Sequence, residues 1–299
     1  DYNIFMAMSQ RIGQDSKGNS VFVLDGNGNN TGVLNHDLNE IADAYIDFLS
    51  GNEHQKSEYI FTIKKSEVKD HININPQHYS PKLNAALDSV LAFDNKDNWA
   101  TTTVGQLEAG IRIYIGPRWN SASIKVDSPT DTSNLVPYLT ANAALELRRL
   151  TVKWLDARKA NPQQRQCIDM LKIHEGDILI SRSGTIGKVT YATKDLAENY
   201  IVSDDLVRIR VKDANLRAYL LAYFTSSTAL ALMLLDEYGS VQQHLQPRHI
   251  QEMLIPVPDD WSLAQDMIDA GNMFIKAMED MSKADRKIRT QGFDALIAE

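Results

Sequence analysis

Gly176-Asp177-Ile178-Leu179-Ile180-Ser181-Arg182-Ser183-Gly184-Thr185-Ile186-Gly187-Lys188-Val189 is the stretch that decides how the chain is read. Ile178 to Ile180 make a short apolar strand, and a second strand opens at Val189. Between them lie glycines that tolerate positive φ, the hydroxyls of Ser181, Ser183 and Thr185, and the cations Arg182 and Lys188. A corner of this composition can hold charged and polar groups out toward a phosphate backbone or a base edge. The plainer alternative is an ordinary hairpin with a solvated arginine.

Composition bounds the rest. At 299 residues, 43% apolar and 23% charged, the chain is globular and long enough for more than one structural unit. It contains no apolar run approaching ~18 residues and opens on no basic-then-apolar leader, so a membrane span and a secretory signal are not expected and a cytoplasmic location is. The single cysteine, Cys167, excludes an internal disulfide and a cysteine-rich zinc site, and the seven histidines show no metal-ligand spacing. A net charge of -8 argues against a purely electrostatic DNA binder. The charge is uneven, however. Residues 1–96 hold eight cations against thirteen carboxylates, whereas 143–188 hold nine against five, so a DNA-facing surface should draw on the second segment and share the duplex with a basic partner.

Along the chain, Val21 to Leu24 and Val33 suit a hairpin across the loop Asp25 to Gly32. Asn35 or Asp37 then caps a helix through Leu38, Ile41, Ala42, Tyr45 and Phe48. After a polar linker, Ser50 to Gln55, a strand is expected over Glu58 to Lys65 and a helix over Pro81 to Leu91. Ile111 to Ile115 reads as a strand, and Ala143 to Lys159 as a helix carrying Arg148, Arg149, Lys153, Arg158 and Lys159. Those cations either face solvent or contact phosphates. Leu216 to Tyr238 reads as two helices joined at a cap in Thr225 to Thr228. A Gly239-Ser240 turn follows and presents Gln242, Gln243 and His244; glutamine amides can pair bidentately with adenine, although a polar turn over a helix end explains each residue as well. Finally Leu263, Met267, Ala270, Phe274, Ala277, Met281, Ala284 and Ile288 recur at steps of four and three, predicting a helix of roughly 39 Å with Asp259 or Asp260 as cap.

Five of these pieces resemble, in order and spacing, the target-recognition domain of type I restriction-modification specificity subunits. They are Gly176 to Val189, Leu206 to Val211, Ala218 to Tyr238, Gly239 to His244, and Ile255-Pro256-Val257-Pro258. Trp99 to Leu107 and Pro137-Tyr138-Leu139 are similar to that domain's opening segment and to its short strand before a variable region. Residues 5 to 48 are similar to the last part of the N6-adenine DNA methyltransferase subunits of the same systems. The resemblance implies an α+β fold: a mixed-sheet recognition domain, a long C-terminal coiled-coil-type helix and a small N-terminal α/β tail. The segments expected are 1–50 as methyltransferase tail, 51–96 as linker with a connecting strand and helix, 97–260 as recognition domain, and 261–299 as spacer helix. A fusion cut after its catalytic core is the expected origin.

The resemblance further implies partners: double-stranded DNA, a methyltransferase domain or subunit, a restriction subunit where the system has one, and a second copy joined through the C-terminal helix. S-adenosylmethionine is expected in the methyltransferase core and not in this chain, which lacks its glycine-rich site. It also lacks the Asn/Asp-Pro-Pro-aromatic loop, since Asn75-Pro76-Gln77 and Asn161-Pro162-Gln163 each miss the second proline. Gly184 to Val189 is no phosphate loop, having two residues between its glycines. The leading expectation is therefore a DNA-recognition module whose base readers are Arg182, Ser183, Thr185, Lys188, Gln242, Gln243 and His244. The alternatives are a methyltransferase fragment with residual cofactor binding or catalysis, and an assembly scaffold that does not touch DNA.

Overall fold

A computed structural model describes residues 1–15, 17–52, 57–68, 75–107, 110–146, 151–234 and 244–291. Two compact units, residues 1–86 and 87–299, share the chain.

The first unit holds β1 (Asn3–Ala7), β2 (Phe22–Leu24), β3 (Asn30–Leu34), α1 (Leu38–Leu49) and β4 (Ile60–Lys64). β1 pairs antiparallel with β4 from Asn3↔Lys64 to Ala7↔Ile60, and Met6, Phe61 and Ile63 form its core. From α1, Tyr45 and Phe48 close on Phe5 with ring centroids 5.3 and 5.6 Å away. β2 and β3 make the expected hairpin, whose loop is turned by the Asp25 carboxylate accepting the amides of Asn27 and Asn29. Asp37 stands before α1 without capping it. Its carboxylate accepts instead from Ser9 Oγ at 2.6 Å and Gln10 N at 2.7 Å, because the chain after β1 offers closer donors than the helix end does.

α2 (Pro81–Leu91) spans the division and leads into the second unit. There follow β5 (Trp99–Thr103), β6 (Arg112–Ile115), β7 (Lys125–Val126), β8 (Val136–Leu139), α3 (Ala141–Leu145), β9 (Lys153–Leu155), α4 (Pro162–Met170), β10 (Ile178–Ser181), β11 (Val189–Tyr191), α5 (Lys194–Asn199), β12 (Ile201–Val202), β13 (Leu206–Arg210), α6 (Ala214–Thr225), α7 (Ser227–Met233), α8 (Pro247–Glu252), β14 (Leu254–Pro258) and α9 (Gln265–Gln291). The fold is α+β with mixed sheets, as expected. One antiparallel sheet runs β11-β10-β13-β6; a second runs β12-β8-β9-β7 with β12 and β8 parallel; β5 and β14 form a third pair.

Ile178, Leu179, Ile180, Leu206, Val207 and Ile209 are all fully buried, so β10 and β13 are covered on both faces. That is why Ile178 to Ile180 of β10 reads as a short apolar run. Leu179 and Leu206 pack with Leu139, Leu196 and Val202. Arg208, on β13, stitches the two larger sheets: its Nη1 donates to the carbonyls of Met170 and Lys172, and its Nη2 to those of Val202, on β12, and Ser203, over 3.0 to 3.4 Å. A Cβ on Gly116 would stand 2.9 Å from that guanidinium and 2.7 Å from Leu171, so only glycine leaves it room. Burial pulls the Arg208 pKa below its ordinary value.

The single helix expected over Ala143 to Lys159 does not form. α3 ends at Leu145, Lys153 lies in β9 opposite Tyr138, and Arg158 and Lys159 occupy a 3-10 turn. β9 is an inner strand of the second sheet and buries Leu155 in its core, a tertiary gain that overrides local helix propensity. The break in the apolar run after Leu216 falls where expected, with Ser226 Oγ accepting the Ala229 amide at the start of α7.

α9 is a 27-residue helix, roughly 40 Å long. It packs against α6, but not along the row that the sequence singled out. Ala264, Ile268, Gly271, Ser282 and Asp285 are buried, with Ile275 and Met278 half-buried between them. A Cβ on Gly271 would lie 2.0 Å from the Ala218 carbonyl oxygen, so the two backbones touch there. Ser282 Oγ meets Thr193 Oγ1 at 3.2 Å, tying α9 to the cap of α5. The expected row is left facing outward: Leu263, Met267, Met281 and Ile288 are 38–49% exposed.

Candidate nucleic-acid interface

The β10–β11 corner is built from its own main chain. Ser181 N donates to Lys188 O at 2.9 Å and Gly187 N to Ser181 O at 3.1 Å. Ser181 Oγ donates to Thr185 O and accepts from Lys188 N, which consumes that hydroxyl inside the turn. Gly184 and Gly187 take φ of +71° and +81°, and a Cβ on Gly187 would meet Leu230 at 2.5 Å. The corner thus projects Thr185 and Lys188 into solvent with Ser183 half-buried behind them. Together with Asn142, Leu145 and Glu146 at the end of α3, Thr185 and Lys188 line a shallow depression of about 220 Å³.

Arg182 does not belong to that exposed set. It is 2% exposed, which overturns its expected role as a base reader. Its Nε donates to Leu245 O at 3.2 Å and its Nη1 to Asp204 O at 3.4 Å, while its own carbonyl accepts the Leu245 amide at 2.9 Å. A buried guanidinium is tolerated because carbonyl acceptors replace water.

The remaining expected residues fall into three groups. His244 is described and half-buried, with its Nδ1 shielded from solvent and lacking a hydrogen-bond partner among the described residues. Gln242, Gln243, Arg148 and Arg149 lie outside the described residues. Lys153, Arg158 and Lys159 are exposed, as phosphate ligands must be. Arg158, however, forms a bidentate pair with Asp156 at 2.8 and 3.0 Å, and Lys159 Nζ stands 3.9 Å from the same carboxylate. That hydrogen bonding raises the Arg158 pKa and lowers that of Asp156, so a phosphate must compete with an existing partner.

One cationic cluster escaped the sequence reading. Arg112, Arg208 and Arg210 gather around the Tyr114 ring at 4.7, 5.9 and 5.5 Å, with Arg210 paired to fully buried Asp177 at 2.8 Å. The Asp177 hydrogen bond raises the Arg210 pKa, and burial raises that of Tyr114. Arg210 and Arg112 face each other across β13 and β6 in register, a pairing that only the sheet order reveals.

Residues 119–268, half of the chain, match the family model of the type I restriction modification DNA specificity domain, and the chain belongs to that family. Similar solved structures include the HsdS subunit from Thermoanaerobacter tengcongensis, at 15% identity and a TM-score of 0.40 over 72% of this chain and 49% of that one. The type I restriction-modification S subunit from M. genitalium is 9% identical with a TM-score of 0.39, over 86% of this chain and 70% of the other. The type IIG restriction endonuclease BpuSI gives 12% and 0.44, over 82% and 38%. The chain spans about half the length of the first of these. No curated protein matches. Among the described residues no helix is long and apolar enough to cross a membrane, and no group of residues has the makings of a metal site.

Proposed function

We propose that residues 87–299 read a DNA sequence and direct an N6-adenine methyltransferase of a type I modification system to it. The observation that carries this reading is that the specificity-domain match, residues 119–268, takes in the corner on which Thr185 and Lys188 stand exposed. Ser183, Thr185, Lys188 and His244, with Gln242 and Gln243, are the base-edge candidates. Lys153, Arg158 and Lys159, with Arg148 and Arg149, supply phosphate contacts that position without specifying.

The first unit fits the end of a methyltransferase subunit, fused here to its recognition domain. Leu24, Val33, Ile46 and Leu49 are more than half exposed on β2, β3 and α1. A lone two-stranded hairpin is marginal, so such residues suit a surface covered by another protein body. Residues 1–50 hold two cations against seven carboxylates, which favours a basic protein over DNA as the cover. S-adenosylmethionine belongs on that methyltransferase body. A second copy of the chain, docked along the outward row of α9, supplies a second recognition domain, and a restriction subunit completes the system where one exists. The expected cellular location is the cytoplasm.

Mapping adenine methylation in cells that carry the intact system tests this reading. A sequence-specific, bipartite symmetrical pattern is expected, because half-site spacing mirrors protein symmetry. With Lys188→Ala, affinity for the mapped site should fall and the slope of log K against log salt should shrink by about one. Unchanged methylation and slope would remove the corner from the interface, and no salt-dependent binding to any duplex would favour the scaffold alternative.

A further inference from the structure

Arg182 ties together three segments that meet at the candidate interface. The corner contributes Arg182 itself, whose backbone amide donates to Asp205 O at 3.2 Å. The turn between β12 and β13 contributes Asp204 O, and the chain entering α8 contributes Leu245, which is gripped twice, once by the guanidinium and once by the Arg182 carbonyl. Leu245 is buried and His244 is its immediate neighbour. The side chain therefore fixes where His244 stands relative to Thr185 and Lys188. A guanidinium can reach two carbonyls in different directions from one rigid plane, whereas an ammonium offers a single flexible point.

We propose that Arg182 is a positioning residue for DNA reading: it touches no DNA, and it holds the corner and the His244 segment in the spatial register that distinguishes one sequence from another. This rests on the DNA-reading function proposed above. A loosened register moves base-edge donors and acceptors off their partners while leaving the exposed cations free to follow the backbone, so discrimination and phosphate attraction separate.

The test uses the intact protein, a duplex selected by the wild type from a randomised pool, and a scrambled duplex. Binding is measured across a salt series for the wild type, Arg182→Lys and Arg182→Met, with thermal unfolding as a control on folding. The expected result for Arg182→Lys, which keeps the charge and loses the fork, is a tenfold or greater loss of preference for the selected duplex. Scrambled-duplex affinity and the salt slope should stay at wild-type values. Arg182→Met should behave alike, since the charge itself meets no phosphate. A slope reduced by about one in Arg182→Met with preference retained would make Arg182 a phosphate contact and overturn the proposal. A lowered unfolding temperature with preference and slope both intact would overturn it as well, leaving a purely structural residue. If the wild type selects no sequence from the pool, the DNA-reading function itself fails and Arg182 has nothing to position, an outcome distinct from the other two.

Discussion

At the scale of single residues, the two buried arginines show how charge can be spent on architecture. Arg208 serves four carbonyls from two segments, and Arg182 serves two carbonyls. Replacing Arg208 with methionine keeps much of the volume but strands those acceptors away from water. Each orphaned group costs about 1–3 kcal/mol, and partial relaxation leaves an expected loss near 3 kcal/mol. Chemical denaturation of Arg208→Met measures it directly. An unchanged midpoint would mean that the two sheets hold together without the stitch. Lys188, by contrast, is exposed and sits beside Glu146 in its depression, so its replacement should alter binding while leaving unfolding untouched.

Among the elements, α9 has two usable faces. Rows offset by one residue lie 100° apart on a helix, so the sequence supports an inner row from Ala264 to Asp285 and an outer one from Leu263 to Ile288 with the same four-three spacing. Gly271 marks the inner contact. Gly271→Ala should raise helix propensity by about 1 kcal/mol, yet destabilise the unit by a net ~1–3 kcal/mol because the new methyl collides with the Ala218 carbonyl of α6. The sign of the change in unfolding midpoint decides between the two effects. Stabilisation would mean that α6 and α9 can separate freely at that point.

For the molecule as a whole, the outward row sets the expected assembly. Met267→Glu with Met281→Glu keeps good helix formers and places charge on the face proposed to meet a second copy. Analytical ultracentrifugation should show the wild type as a dimer and the double variant as a monomer with unchanged helix content by circular dichroism. A wild type that is monomeric at all concentrations would sink the idea that a second copy completes a bipartite site. The exposed apolar residues of the acidic first unit suit the protein cover proposed above.

Much of this was legible in one dimension. The limits of α2 follow from local signals, as do the break between α6 and α7 at a serine cap and the strand over Ile178 to Ile180. What escaped were properties set by partners distant in the chain. Arg182 reads as an exposed cation until Leu245, 63 positions away, supplies the carbonyl that buries it. Ala143 to Lys159 reads as a helix until β7 and β8 offer its second half a place in a sheet. The apolar row of α9 was visible in the sequence, but its orientation was not. Local propensity and periodicity are short-range energies that the sequence alone determines; which charge is buried and which face of a helix is left open depends on long-range packing, and that only the tertiary structure decided.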